Sequence, residues 1–222
     1  MRILLIATNR HQRLMSRMNA YPAPIGLAYI AGYLDPDRHD VKILDLMFSE
    51  DYLEETGRTV REFQPDLIGI SLRNLDNVSY MDPQWALPGT KEVIDKIRSI
   101  TEAPIVCGGP GFSLLPEACF DYLGLDLGVA GDGGESFAQL ADAMESGETY
   151  HNMPGLVYRD DTGSILRKGL AYSEFSKPPL LDQLDMARYE KAGFGIGVVT
   201  KLGNSFSNSI IAENDTAAWR VL

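Results

Sequence analysis

Pro104-Ile105-Val106-Cys107-Gly108-Gly109-Pro110-Gly111-Phe112 is a short apolar run that ends abruptly in a segment with three glycines. The run carries β-branched residues and is too short for a helix, so it reads as a buried strand. Glycine has no Cβ, so a loop this rich in it can take positive φ and let a ligand lie against bare backbone. The expectation is an α/β sheet built to present this loop and its neighbours.

Outward from that strand the pattern repeats. Towards the N-terminus, Thr90 is placed to cap a helix over Lys91–Ile100, where Val93, Ile94, Ile97 and Ile100 keep helical spacing. Before it come a polar loop over Leu72–Pro88 and a strand over Leu67–Ser71. A charged helix is expected near Asp51–Phe63, a strand over Val41–Leu46, and a helix over Ile25–Leu34 opened by Pro24. The first strand is Arg2–Ala7, followed by a polar loop. Towards the C-terminus a short helix near Pro116–Leu123 precedes a strand over Asp126–Ala130. Gly131-Asp132-Gly133-Gly134 ends that strand, and a helix over Glu135–Ser146 follows. Five strands alternating with helices predict a doubly wound parallel sheet, flavodoxin-like or Rossmann-like. After residue 150 the pattern changes. Gly155–Arg159 and Ser164–Arg167 flank Asp160-Asp161-Thr162-Gly163, a hairpin with turn chemistry, and from about residue 171 the chain reads as an irregular linker.

The totals narrow the function classes. The 222 residues are 45% hydrophobic and 23% charged, an ordinary globular composition. A net charge of −11 argues against nucleic acid or an anionic membrane as the main partner, because both would repel it. No run is long enough to span a bilayer, and the two cysteines, Cys107 and Cys119, cannot form a disulfide framework. Cytoplasm is the default expectation.

In open α/β sheets, ligands bind beyond the carboxyl ends of the strands near the switch in strand order. The loops after the first, third, fourth and fifth strands are polar or glycine-rich, which suits a large flat ligand with a phosphate. Common nucleotide motifs fit poorly: Thr8-Asn9-Arg10-His11 contains no Gly-x-Gly-x-x-Gly, and no Gly-x-x-x-x-Gly-Lys occurs. Cys107 reads as a small core residue, and Asp126 with Asp132 as solvated loop-edge carboxylates rather than a metal pair.

Several pieces, in order and spacing, are similar to one family. They are Pro24-Ile25-Gly26-Leu27-Ala28-Tyr29-Ile30-Ala31, Pro65-Asp66-Leu67-Ile68-Gly69-Ile70-Ser71 and its continuation Leu72-Arg73-Asn74-Leu75-Asp76-Asn77. Gly108-Gly109-Pro110-Gly111-Phe112-Ser113, Gly131-Asp132-Gly133-Gly134-Glu135 and Pro154-Gly155-Leu156-Val157-Tyr158-Arg159 complete the set. On these, residues 1 to about 170 resemble the cobalamin-binding domain found at the N-terminus of many radical S-adenosylmethionine (SAM) proteins. The resemblance implies a cobalamin across the strand ends, its nucleotide tail entering between the loops. The implied cofactor contacts are Asn9, Ser71, Arg73, Asn74, Gly108, Gly109, Pro110, Gly111, Phe112, Gly131, Asp132, Gly133 and Glu135. It also implies residues 1–150 as the cofactor domain, 151–170 as a hairpin extension, and 171–222 as a linker running into the start of a radical SAM domain.

Two departures qualify what the resemblance implies. Relatives with a histidine under the cobalt carry Asp-x-His-x-x-Gly, whereas this chain has Asn9-Arg10-His11-Gln12-Arg13-Leu14, so His11 lacks the aspartate that would orient it as a cobalt ligand. Where the family places Cys-x-x-x-Cys-x-x-Cys, this chain has Asn204, Asn208 and Ile211, which cannot replace thiolates on iron. No 4Fe–4S cluster is expected in this chain. The implied function is a cobalamin-binding module of a radical-SAM methyltransferase or cyclase-like protein, serving methyl transfer with a separate or missing radical SAM domain. Two alternatives stay open: an interaction or sensor module without a corrin, and a flavodoxin-like nucleotide-binding domain.

Overall fold

The computed structural model describes residues 1–9, 21–77, 81–171 and 176–192. Its sheet has seven strands in the order β2-β1-β3-β4-β5-β6-β7. The five parallel strands are β1 (Arg2–Ala7), β2 (Asp40–Asp45), β3 (Leu67–Ser71), β4 (Ile105–Gly108) and β5 (Leu127–Val129). The expected hairpin, β6 (Leu156–Arg159) and β7 (Ile165–Arg167), is not a separate extension: β6 adds antiparallel to the free edge of β5. Asp160 makes the hairpin turn, its Oδ1 accepting from the amides of Thr162 and Ser164, each at 2.9 Å. Pairing β6 with β5 covers an edge that would otherwise expose unpaired amides.

Among the described residues, seven α-helices connect and flank the strands: α1 (Ile25–Tyr33), α2 (Tyr52–Phe63), α3 (Ala86–Arg98), α4 (Pro110–Leu114), α5 (Pro116–Leu123), α6 (Gly133–Ser146) and α7 (Met186–Lys191). One core layer joins Val60, Val93, Ile94, Ile97, Phe120 and Leu123 of α2, α3 and α5 to the sheet. The opposite layer joins Leu27, Ala28, Ala31, Phe137 and Leu140 of α1 and α6 to Ile3, Leu5, Val106 and Val129. Strand alternation sends these two sets to opposite faces. Helices on both faces follow from the right-handed crossovers that parallel strands require.

Local chemistry sets the helix ends. Asp51 caps α2 by accepting from the Glu54 amide at 3.0 Å. Thr90 is not the cap of α3, which begins four residues earlier at Ala86; Thr90 is buried within it, its hydroxyl 3.1 Å from that of Thr8. The glycine-rich segment that ends β4 also differs from the expected loop. Only Gly109, at φ 99°, is outside regular structure; Pro110 starts α4, the one-turn helix that contains Gly111 and Phe112. Proline's fixed φ and missing N–H favour a helix start there. Among the described residues no helix is long and apolar enough to cross a membrane.

Candidate functional site

The strand register lines up Asp45, Ala7, Ser71 and Gly108 in one row at the carboxyl end of the sheet. Strand β1 turns away to α1 on one face and β3 towards α3 on the other, so a crevice opens between them. A compartment of about 200 Å³ occupies this crevice, with the polar side chains of Asn9, Asp45, Ser71 and Arg73 in its wall and the mostly apolar Pro22–Leu27 segment across it. It adjoins a larger slot of about 330 Å³ between α1 and the sheet, with which it shares Ile25, Gly26, Leu27, Ser71 and Pro110. The slot's floor is Leu5, Gly69, Val106 and Val129, and its far wall is Gly131–Gly134 and Phe137 of the β5–α6 connection. Tyr29, Ile30 and Tyr33 of α1 form the opposite wall.

Glycines shape this space in two different ways. Gly133 faces it openly: a Cβ there would make only ordinary contacts at 3.5 Å with Ile30 and Val129. Gly109 and Gly111 instead let protein pack on protein, since a Cβ at either would come within 2.9 Å of the Leu72 carbonyl oxygen. Phe112 is fully buried, and its ring lies where a Cβ of Gly128 would be. Neither Gly111 nor Phe112 lines the slot or the crevice.

Of the sequence-predicted contacts, Asn9, Ser71, Arg73, Gly108, Gly109, Pro110, Gly131, Asp132 and Gly133 line one compartment or the other. Asn74 does not. With its amide turned to suit its neighbours, its oxygen accepts from Arg73 Nη1 at 3.3 Å and its nitrogen donates to the Arg73 carbonyl at 2.9 Å. Burial draws the Arg73 guanidinium pKa below its ordinary value. Glu135 stands in the first turn of α6, where a carboxylate complements the helix dipole, and lies outside both cavities. His11 and the positions 204, 208 and 211 lie outside the described residues.

Sequence reasoning did not single out Ser113, Asp45 or the α1 tyrosines as site residues. Buried Ser113 donates to the Gly109 carbonyl and accepts from the Gly131 amide, both at 2.9 Å, which ties the β4 and β5 connections together. Asp45 sits at the end of β2; its Oδ1 accepts from the Met47 amide at 3.1 Å and its Oδ2 from the Tyr189 hydroxyl at 2.5 Å. Burial raises its pKa, against the smaller opposing effect of the Tyr189 bond. A single hydroxyl or carboxylate within or at the end of an element adds no periodicity of its own, so only the three-dimensional contacts mark these residues.

Other reactive groups lie elsewhere. Burial pushes the Cys107 thiol far above its ordinary range and the Cys119 thiol up to about 11, so neither is a ready thiolate. Asp126 bonds Arg98 and the Ile105 amide before β5, whereas Asp132 follows β5, so the sheet places them at opposite ends. Buried His39 bonds Asp142 at 3.0 Å, in a cluster with Glu145. Arg38 ion-pairs both acids, at 2.5 and 2.6 Å, which makes the cluster a clasp between the end of α1 and the end of α6.

The protein-family profile described as "B12 binding domain" matches residues 14–141. Tryptophan 2-C-methyltransferase of Streptomyces laurentii is 33% identical over 166 residues, covering 72% of this chain and 26% of that protein. An uncharacterized methyltransferase of Pyrococcus horikoshii is 26% identical over 210 residues, covering 90% of this chain and 42% of its own length. Among solved structures, the radical S-adenosylmethionine methyltransferase TsrM from Kitasatospora setae, with cobalamin and a 4Fe–4S cluster bound, superposes with a TM-score of 0.67. The identity is 28%, over 83% of this chain and 33% of that one. The cobalamin-dependent radical enzyme OxsB, with aqua-cobalamin and S-adenosylmethionine bound, gives a TM-score of 0.68 over 86% of this chain and 25% of that chain. At 17% identity OxsB shows a shared fold. The chain spans 26% to 42% of the length of these curated relatives.

Proposed function

This chain belongs to the B12-binding domain family, and from that premise we propose that it holds cobalamin across the row of strand ends, with the nucleotide tail in the slot behind α1. The observation that carries the reading is the slot itself: a largely apolar space of about 330 Å³ that joins, at Ser71 and Pro110, a crevice carrying the polar side chains of Asn9, Asp45 and Arg73. Its chemistry suits a flat aromatic base below and a ring with hydrogen-bonding amides above. Gly133 keeps the space open, since a Cβ there would meet only Ile30 and Val129 at 3.5 Å. On this reading the Asn9 amide and Ser71 hydroxyl, which line the crevice, would bond peripheral carboxamides, and Arg73 would meet the anionic or carbonyl edge of the ligand.

The finer reading concerns the protein that this module serves. Cobalamin supplies, when bound, a cobalt centre able to carry a methyl group. The residues of this chain bind and orient it; the radical chemistry belongs to a radical SAM domain, in the same polypeptide or a separate one. Support comes from the curated relatives, methyltransferases of which this chain matches only 26% and 42%. Residues 1–150 would form the cofactor-holding unit, with the hairpin closing its β5 edge. Among the described residues both histidines, His39 and His151, lie away from the strand ends that frame the slot, which leaves His11 as the one histidine to test as a cobalt ligand.

The protein mixed with hydroxocobalamin and desalted should retain a stoichiometric corrinoid spectrum. Gly133→Leu would fill the slot from an unstrained helix position and is expected to weaken retention at least tenfold, with the circular dichroism unchanged. A colourless wild-type protein would overturn the reading. A bound flavin spectrum would favour a smaller nucleotide instead. His11→Ala separates His-on from His-off binding through the visible absorbance of the retained corrinoid.

A further inference from the structure

The chain beyond the hairpin is anchored at three places, two on elements that frame the slot and one at the crevice. At the first, Ala171 lies beside Gly131 in a parallel bridge and its carbonyl accepts from the Asp132 amide at 2.8 Å. Gly131 and Asp132 both line the slot. The second anchor is the outer side of α1. The Ser176 amide donates to the Tyr33 hydroxyl at 2.9 Å, and the Leu180 amide to the Ala28 carbonyl at 2.8 Å. Between them the Pro178 carbonyl oxygen presses onto Gly32, at 2.1 Å from where a Cβ would stand. The third is α7. Its buried Tyr189 donates to Asp45 at 2.5 Å, and Arg188 donates to the Phe48 carbonyl at 3.2 Å while lying over the Phe48 ring at 4.6 Å. Phe48 is itself packed edge-on against Tyr189 at 4.9 Å and stacked on Tyr21 at 5.4 Å.

Helix α1 is therefore held between two things. Its Tyr29, Ile30 and Tyr33 form a wall of the slot, and Gly32, Ala28 and the Tyr33 hydroxyl carry the passing segment. A helix apolar on every side must be covered on every side. Here the sheet, the slot and residues 176–184 each cover one. Leu180 and Leu184 complete the core layer that α1 shares with the sheet. Asp45 links the third anchor to the ligand side, because it lines the crevice and also receives Tyr189.

We propose that residues 176–192 form a strap whose docking is coupled to occupancy of the slot. This coupling rests on the cobalamin reading. A ligand seated between α1 and the sheet fixes the position of α1 and of the Gly131–Asp132 turn. The same positions are required for Pro178, Leu180 and Ala171 to dock. Ligand and strap thus favour one arrangement of the same wall, and linkage makes the effect reciprocal: the ligand tightens the strap, and the strap slows release of the ligand.

Gly32→Ala isolates this device. Alanine is a better helix former than glycine, so α1 is not weakened. Gly32 does not line the slot, yet the added Cβ cannot coexist with the Pro178 carbonyl where it stands. In wild type, hydroxocobalamin should slow amide exchange at Ser176 and Leu180 at least fivefold. In Gly32→Ala those amides should exchange fast with or without cobalamin, and the corrinoid should dissociate at least fivefold faster, with the unfolding midpoint of the domain retained. Tyr189→Phe, which frees only the far anchor, should move both readouts in the same direction by less. Retention of cobalamin with unaltered exchange at Ser176 and Leu180, or a freed strap with an unaltered dissociation rate, overturns the coupling alone. A wild-type protein that retains no cobalamin overturns the binding reading and the coupling with it, and the missing spectrum identifies that outcome.

Discussion

Asp45 concentrates several demands on one side chain. It ends β2, stands in the register row with Ala7, Ser71 and Gly108, lines the crevice and receives Tyr189. Burial is the largest influence on it and raises its pKa above the ordinary 3.8. The native state then binds this proton more tightly than the unfolded chain does. The stabilisation is complete below about 3.8 and is lost as pH rises through the higher native value. Asp45→Asn resembles the protonated form and removes that dependence. Urea midpoints measured as pH rises from 3.8 upwards should show wild type losing stability relative to the variant. A difference that stays flat would contradict the burial argument. The residue scale also limits what sequence can say about glycine: Gly109 and Gly133 look alike in the chain, yet one accommodates the Leu72 carbonyl and the other faces the slot.

At the scale of elements, the short helix α4 is the feature that sequence reasoning drew as loop. A five-residue helix is too short for periodicity to register, and its start depends on Gly109 at φ 99° followed by Pro110. Its Ser113 then holds two connections together, from the Gly109 carbonyl to the Gly131 amide. Ser113→Ala leaves the half-buried Gly131 amide without its hydroxyl partner, a loss of about 0.5–1.5 kcal/mol. Chemical denaturation should report a loss of that size. Because Gly131 lines the slot, the corrinoid retained by the variant should also dissociate faster than from wild type. Unchanged stability would mean that water or another acceptor replaces the hydroxyl. Helix α3 makes the complementary point. Thr90 has the side chain of a cap, but its partner is Thr8, 82 residues away in sequence, and a long-range contact of that kind overrides local preference.

At the scale of the molecule, the slot lies between layers that fold together, so filling it should stabilise the whole domain. A ligand present at a hundred times its dissociation constant adds about 2.7 kcal/mol. For a domain of this size that corresponds to a rise in melting temperature of roughly 5–10 °C, given 2–4 °C per kcal/mol. Calorimetry with hydroxocobalamin should show it, and an unshifted transition would count against binding within the core. The order of strands and helices, and the parallel five-strand sheet, were legible in the amino-acid sequence. Apolar runs of four to six residues alternating with helical spacing leave few other folds, and crossover handedness leaves few topologies. The polar and glycine-rich strand ends were legible too, because those residues interrupt the apolar pattern. Tertiary structure decided the rest. It joined the hairpin to β5, returned residues 176–192 across α1 to Asp45, and divided the glycines between packing and cavity. The physical reason is that sequence spacing encodes which neighbours along one element share a face. Which distant segment fills the space beside a missing Cβ is set only when the layers close.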